Sequence, residues 1–220
     1  MKMNLIHQLT NILSTNTLPG IDAHKKLAPI GRNLGNPVPS DAERAAVMIL
    51  LFKKSDIWHT LLIVRESTNP FDKHKGQMSF PGGRFDSRDV IMQETALREL
   101  HEEVGIPKNE VTVIGELTDI YIPVSNYHVF PFIGFISSEH PRWVIQESEV
   151  EDVLEVPLSA LQDPNTFCLS SIDINEKLTL PLVPSFVIDN RIIWGATAMI
   201  MSEFLDLLNS VEIEAIKEAI

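Results

Sequence analysis

The sequence predicts an α/β protein, because segments typical of buried strands alternate along the chain with segments of helical periodicity. Residues 45–52, Ala-Ala-Val-Met-Ile-Leu-Leu-Phe, form a short and nearly continuous apolar run, which is typical of a buried strand. Residues 90–104 carry apolar side chains at helical spacing and are followed by a glycine. With 220 residues, of which 44% are hydrophobic, the chain is long enough for one well-filled core plus extensions.

The segment before the first strand divides into a helix and a connection. Apolar residues at helical spacing predict an amphipathic helix over residues 1–15; they are Leu5, Ile6, Leu9, Ile12 and Leu13. We expect this helix to pack on the core, since Lys2 is its one cationic residue and a membrane-surface helix needs a basic face. Residues 18–41 contain four prolines and are expected to be irregular.

The following segments supply the predicted sheet. Residues 60–64 are the expected partner of the first strand, across a turn at residues 53–56. Residues 111–117 and 129–136 are rich in apolar and β-branched side chains and are also predicted strands. Residues 119–127, which contain a proline and an asparagine, are expected to form a loop over the functional site.

The last quarter of the chain is predicted to contain a hairpin and a helix. Residues 178–182 and 185–188 are the two expected strands of the hairpin, and a helix is expected from residue 192 to about residue 208. Residues 211–220 form either a short separate helix or a frayed tail. The expected organisation is an N-terminal helix and linker (1–40), one domain (41–208) and a C-terminal tail (209–220).

Three carboxylates are gathered on the helix predicted over residues 90–104. At 100° per residue, Val90, Leu97, Leu100 and Val104 share one face, whereas Glu99, Glu102 and Glu103 lie on the opposite side. Carboxylates this close repel one another unless cations bind among them, and hard oxygen ligands suit Mg²⁺ or Mn²⁺. The alternative is a solvated acidic face, which is common on amphipathic helices.

The segment before this helix favours the metal site. Phe80-Pro81-Gly82-Gly83 predicts a turn whose backbone can approach a ligand closely, because glycine has no Cβ. Gly83, Arg98-Glu99-Leu100, Glu102-Glu103 and Gly105-Ile106 together resemble the Nudix box of hydrolases that cleave a nucleoside diphosphate linked to another moiety. The family pattern has Glu where Asp89 stands, and seven residues, not eight, before the Arg-Glu pair.

The longer box resembles the coenzyme A pyrophosphatase branch of that family. This branch also has an upstream signature, which Leu61-Leu62-Ile63-Val64-Arg65, Gly76 and Phe80-Pro81-Gly82-Gly83 match. Asp72 stands where the signature has a second Arg, and the spacer before Gly76 is longer by about two residues.

The resemblance implies a Nudix-type α/β/α sandwich with a mixed β-sheet and a divalent-metal site. By position, Glu99 and Glu103 are the metal ligands, with Glu102 and the Gly82 carbonyl as further ligands. Arg98 and Glu102, four residues apart, are expected to form an ion pair that orients the cluster. Glu149 resembles the downstream acid that completes such sites or acts as base, and its alternative is a solvated turn. The general base remains open among Glu99, Glu102 and Glu149.

The resemblance also implies a small-molecule substrate. Positive charge near the glycine turn is expected to hold phosphate oxygens; the candidate substrate-binding residues are Arg65, Lys73, His74, Lys75 and Gly83. The leading hypothesis is Mg²⁺- or Mn²⁺-dependent hydrolysis of coenzyme A or its thioesters. Hydrolysis of ADP-ribose or a dinucleotide is the alternative favoured by Asp72 and the longer spacer. The third hypothesis is a catalytically silent ligand-binding module. The presence of Glu99, Glu102 and Glu103 argues against it.

Bulk composition limits the partners. The formal net charge of −12 disfavours nucleic-acid binding, which requires clustered Lys and Arg. No apolar run approaches the roughly 20 residues that span a bilayer, and the start lacks the apolar stretch of a secretory signal, so a cytoplasmic location is expected. Cys168 is the single cysteine and excludes an intramolecular disulfide. A homodimer is compatible with the sequence.

Overall fold

A mixed β-sheet with helices on both faces forms the body of the protein. The structure is a computed structural model that describes residues 5–15, 17–67, 74–175 and 178–211. The helices are α1 (Leu5–Ser14), α2 (Gly20–Leu27), α3 (Met92–Val104), α4 (Leu158–Leu161) and α5 (Gly195–Ser210). The strands are β1 (Glu43–Lys54), β2 (Ile57–Arg65), β3 (Met78–Ser79), β4 (Gly82–Arg84), β5 (Thr112–Glu116), β6 (Ile120–Ile122), β7 (Tyr127–Phe135), β8 (Val150–Pro157), β9 (Phe167–Asn175), β10 (Leu178–Ile188) and β11 (Arg191–Trp194). The predicted α/β class is confirmed.

Strand β1 lies at the centre of the main sheet. It pairs antiparallel with β2 across a turn at Ser55 and Asp56, both of which have positive φ. On its other side it pairs parallel with β7, from Glu43 opposite Tyr127 to Leu51 opposite Phe135. Strand β8 extends the sheet beyond β2, and β5 and β6 pair with β7. One parallel pair among antiparallel ones makes the sheet mixed, as expected.

The alternating side chains of β1 explain why both faces of the sheet are covered. Successive residues of a strand point to opposite faces. Ala46, Met48, Leu50 and Phe52 pack with α3 residues such as Leu100. Ala45, Ile49 and Leu51 belong to a second apolar cluster, with residues of α1 and α5. A strand buried on both faces must be apolar throughout, which is the pattern that identified it in the sequence.

Several expectations about local structure were wrong. The helix expected from residue 192 begins at Gly195, after β11, and residues 82–84 of the expected glycine turn form β4, which pairs with β1. Residues 20–27 of the supposedly irregular connection form α2, and residues 120–122 of the supposed loop form β6, which pairs with β7. Residues 178–188 form one strand with an irregularity, and its hairpin partners are β9 and β11. Val90 precedes α3 and is 82% exposed, because the helix begins at Met92.

The C-terminal prediction for residues 212–220 falls outside the described residues. Among the residues that are described, no helix has both the length and the apolar character required to cross a bilayer.

Candidate active site

Three carboxylates from two parts of the chain meet at one end of the main sheet. Glu99 and Glu103 come from α3, one turn apart, and Glu149 immediately precedes β8. One carboxylate oxygen from each lies within 4.8 Å of the other two. The sequence predicted Glu99 and Glu103 as a pair, and the structure brings Glu149 to them from nearly fifty residues away.

Glu103 is the buried member of this cluster. It is 2% exposed, and its Oε2 accepts a hydrogen bond of 2.8 Å from the Gly82 N–H. Its Oε1 lies 3.8 Å from an Arg65 guanidinium nitrogen. Burial is the largest cause that raises the pKa of Glu103 to about 8; the charges of Glu99 and Glu149 act in the same direction, and Arg65 and the Gly82 N–H oppose them.

The burial of Glu103 corrects the expectation that all three helix carboxylates lie opposite the packed side. Three residues along a helix correspond to a rotation of about 60° between Leu100 and Glu103. Glu103 therefore lies at the border of the packed face, whereas Glu99 is half-buried and Glu102 is exposed. The helical projection assigned Glu103 to the exposed face, whereas its side chain is buried at the edge of the packed face.

Glu99 lies against Gly83 of β4. A Cβ on Gly83 would be 2.6 Å from the Glu99 carboxyl carbon, so only glycine permits this approach. Burial raises the pKa of Glu99, and Glu102 and Glu149 raise it further, although the hydrogen bond from Arg98 opposes them.

These carboxylates fit a divalent cation. They provide hard oxygen donors, and burial and mutual repulsion disfavour the charged forms of Glu99 and Glu103 in the absence of a counter-charge. A cation held between the three oxygens would relieve both costs. The donor set matches the Mg²⁺ or Mn²⁺ predicted from the sequence.

Arg98 organises the exposed side of the cluster and is itself held by Asp89. Its NH1 donates to Glu99 at 2.7 Å and to Glu102 at 2.9 Å. Its Nε and NH2 donate to the Asp89 carboxylate, at 3.1 Å and 2.9 Å for the closest contact of each. Asp89 is 7% exposed and also accepts from the Thr95 hydroxyl at 2.9 Å. The hydrogen bonds from Arg98 lower the pKa of Asp89, so this carboxyl stays ionised.

Sequence reasoning assigned no role to Asp89 and missed Thr95. A signal was available, because Asp89 is an acidic residue just before a helix that contains an arginine nine residues later. The predicted ion pair between Arg98 and Glu102 is present, but it is one contact of a four-residue network. Glu102 lies outside the group of three cation-facing oxygens.

Of the predicted substrate-binding residues, Arg65 and Gly83 lie beside the carboxylate cluster. Arg65 ends β2, and its Nε is buried with no hydrogen-bond partner within the described part of the chain. Lys75 is half-exposed and forms an ion pair with Glu66. His74 lies 3.2 Å from the Gln77 side-chain oxygen through its Nδ1. Lys73 lies outside the described residues.

Comparison with known proteins identifies the family. The NUDIX domain family model matches residues 42–171, a span that contains the whole carboxylate cluster. The chain belongs to the Nudix family. It is similar to proteins named uncharacterized Nudix hydrolase NudL, for example that of Yersinia pestis (strain Pestoides F), with 36% identity over 158 residues that cover 72% of this chain and 76% of the relative. The same match is found in Yersinia pseudotuberculosis serotype O:3.

Solved Nudix structures share the fold. The Nudix hydrolase RenU from M. smegmatis superposes with a TM-score of 0.52 at 16% identity, over 78% of this chain and 89% of RenU. A MutT/nudix family protein from Enterococcus faecalis superposes with a TM-score of 0.50 at 16% identity, over 82% of this chain and 68% of that one. At such identities the likeness concerns the fold alone. Membership of the Nudix family makes the chain a hydrolase of a nucleoside diphosphate derivative.

Proposed function

We propose that this Nudix hydrolase cleaves the diphosphate of coenzyme A or its thioesters with Mg²⁺ or Mn²⁺. The products are 3′,5′-ADP and 4′-phosphopantetheine, or its acyl form. The observation that carries the reaction class is the convergence of Glu99, Glu103 and Glu149 beside Gly82 and Gly83 of β4.

Within this proposal, Glu99, Glu103 and Glu149 hold the cation. When bound, a divalent cation neutralises the phosphate oxygens and stabilises the leaving phosphate. The Gly82 N–H fixes Oε2 of Glu103, and Oε1 lies 3.8 Å from an Arg65 guanidinium nitrogen. The Gly82 carbonyl and Glu102 remain proposed as additional ligands.

Arg98 is a positioning residue in the proposed reaction. Its guanidinium binds Glu99 and Glu102 with the donors that Asp89 does not occupy. Asp89, which accepts a hydrogen bond from Thr95, fixes the guanidinium from the far side, so the Glu99 carboxylate is held in one orientation. Asp89 thus acts on Glu99 through Arg98.

The attacking water must lose a proton to a carboxylate. Glu149 is exposed, so solvent and substrate reach it directly, whereas Glu102 is held by Arg98. Glu99 is held by Arg98 as well, so Glu149 has the best access to the attacking water among the three candidates. Water oxygen bonds to one phosphorus, the bridging P–O bond breaks, and the bridging oxygen leaves with the other phosphate.

The substrate assignment rests on the residues upstream of the glycine turn. Residues 61–65, Gly76 and residues 80–83 match the coenzyme A signature, and Arg65 brings a guanidinium beside Glu103. The Arg65 side chain is 30% exposed, and its guanidinium is suited to binding a phosphate oxygen. Arg65 is the stronger candidate for phosphate binding, because it lies 3.8 Å from Glu103 of the cluster, whereas Lys75 contacts Glu66.

A second candidate is another nucleoside diphosphate derivative, such as ADP-ribose or a dinucleotide. The observation that favours it is Asp72, an acid at the place where the signature carries a second arginine. An acid there would repel the 3′-phosphate that distinguishes coenzyme A from those compounds.

A substrate panel separates these candidates. The purified chain is incubated with Mg²⁺ and one substrate at a time: coenzyme A, acetyl-coenzyme A, ADP-ribose or a diadenosine polyphosphate. The products of each reaction are identified by mass spectrometry. We expect 3′,5′-ADP from both coenzyme A compounds. Cleavage of ADP-ribose or the dinucleotide alone would contradict the substrate assignment and leave the Nudix reaction intact. Binding without cleavage of any compound would indicate a silent module.

A further inference from the structure

The loop that carries Glu149 is attached to the C-terminal end of α3. We call residues 143–149 the docking loop. The Val144 N–H donates to the Val104 carbonyl at 3.0 Å, and the Gln146 N–H donates to the Glu103 carbonyl at 3.0 Å. The last carbonyls of a helix have no partner within the helix, so the loop satisfies two of them.

Glu103 therefore interacts with the region of Glu149 through both its side chain and its backbone. Its carboxylate belongs to the same cluster as the Glu149 carboxylate, and its carbonyl holds the loop that ends at Glu149. Beyond Gln146 the chain turns, with the Glu149 N–H donating to the Gln146 carbonyl at 2.9 Å. The Glu149 carbonyl then accepts from the Glu66 N–H at 2.8 Å. The backbone of Glu149 is thus fixed on both sides, while its side chain is exposed.

Gly105 allows the loop to reach the helix end. It adopts φ +79°, the left-handed conformation that ends many helices. A Cβ at this position would be 2.7 Å from the Val144 Cβ and 3.1 Å from the Val144 carbonyl oxygen. Any larger residue would push the docking loop away from α3.

Trp143 fixes the other end of the docking loop to the sheet. Its Nε1 donates to a Glu155 carboxylate oxygen at 2.7 Å. Its ring meets the buried Phe52 ring edge-on, with centroids 5.2 Å apart. The loop is thus held between the sheet and the helix end.

We propose that the attachment of the docking loop to α3 sets the position of Glu149 for cation binding, with Gly105 and Trp143 as positioning residues. This inference rests on the proposed function, because it assumes that the three carboxylates hold a divalent cation. Neither residue touches the cluster, so their effect must pass through the loop backbone.

The test measures Mn²⁺ binding by electron paramagnetic resonance of the free ion, without substrate. Gly105→Ala is compared with Gly31→Ala, which has a matched φ of +82° but no atom within 4 Å of its added Cβ. Both variants carry the same backbone strain, and only Gly105→Ala disturbs the loop. Since residues that orient metal ligands typically affect metal affinity 10- to 100-fold, we expect a rise in Kd of about tenfold for Gly105→Ala and none for Gly31→Ala.

Two further variants make the test specific. Adding Val144→Gly to Gly105→Ala removes the nearest clashing atom and should restore most of the affinity. Adding Glu149→Gln to Gly105→Ala should weaken binding less than Glu149→Gln does alone, because the displaced carboxylate no longer contributes. If Gly105→Ala does not fold, Trp143→Phe takes its place; it keeps the ring on Phe52, removes the donor to Glu155, and should also raise Kd.

The outcomes distinguish this inference from the proposed function. Wild-type affinity in Gly105→Ala or in its substitute Trp143→Phe, together with weaker binding in Glu149→Gln, would overturn the role of the docking loop and leave the cation site standing. Equal losses in Gly105→Ala and Gly31→Ala would also overturn it, since strain alone would then be the cause. Absence of Mn²⁺ binding in the wild type would overturn both.

Discussion

Replacing Glu103 with glutamine should stabilise the cation-free protein while removing its cation binding. Glutamine is nearly isosteric with glutamic acid and retains an oxygen that can accept the Gly82 N–H. It cannot ionise, so it resembles the protonated form that burial favours. The perturbation therefore changes one property of the side chain, its capacity to become an anion.

The magnitude follows from the raised pKa of Glu103. Its ordinary value is 4.5, and burial raises the pKa in the folded protein to about 8. A group whose pKa is raised by folding contributes stability that is complete below its unfolded pKa and is lost as pH rises to the folded pKa. The loss is about 1.4 kcal/mol per pH unit across this interval, or about 4 kcal/mol by pH 8. Glu103→Gln does not lose this free energy of unfolding, because glutamine cannot ionise.

The assay is urea unfolding of both proteins in EDTA at pH 5, 6, 7 and 8. We expect the free energy of unfolding of Glu103→Gln to rise relative to the wild type with each step of pH. With Mn²⁺ present the order should reverse, because only the wild type gains stability from the bound ion. A difference between the two proteins that does not change with pH in EDTA would refute the claim that folding raises the pKa of Glu103.

Three other predictions follow from the same site. Glu99→Gln should lower kcat about 100-fold or more while leaving the thermal midpoint nearly unchanged, because it removes a ligand and not a packing contact; a variant that unfolds would contradict its placement. Arg98→Ala should cost about 3 kcal/mol in urea unfolding, since it leaves the buried Asp89 unpaired, and Asp89→Asn in the same background should recover part of that loss. Gly83→Ala should reduce kcat/KM at least tenfold, because its Cβ would lie 2.6 Å from the Glu99 carboxyl, whereas Gly35→Ala, with its nearest atom at 3.5 Å, should retain full activity.

The sequence predicted best where local pattern and tertiary structure agree. Residues 45–52 are apolar because β1 is covered on both faces, and the acidic helix was recognisable because its residues are close in sequence. The Nudix family followed from spacing within about two dozen residues. The fold class, the central strands and the reaction class were therefore available before any coordinates.

Residue spacing in the sequence did not predict which residues from distant parts of the chain come together. Glu149 resembles a downstream Nudix acid, but the pairing of β8 with β2 and the attachment of the docking loop to α3 are needed to bring it within 4.8 Å of Glu99 and Glu103. The burial of Glu103 depends on the angle at which α3 meets the sheet, which a helix wheel does not provide. The role of Asp89 could not be predicted from that residue alone, because it depends on the ion pair with Arg98, nine residues later.

Some errors came from treating prolines as evidence that a helix or strand is interrupted. Prolines suggested an irregular segment where α2 forms, yet Pro19 sits at the start of that helix, where its missing N–H is tolerated. Pro184 lies inside β10, a strand that was divided in the prediction, beside an irregularity in its pairing with β9. Composition indicated a break, whereas tertiary pairing kept each element whole.

The most direct test of the central claim is product identification from coenzyme A with three samples: wild type with Mg²⁺, wild type with EDTA, and Glu99→Gln with Mg²⁺. We expect equal amounts of 3′,5′-ADP and 4′-phosphopantetheine in the first sample and little of either in the other two. Intact coenzyme A in the first sample would contradict the proposed substrate. Equal product in all three would contradict the carboxylate cation site itself.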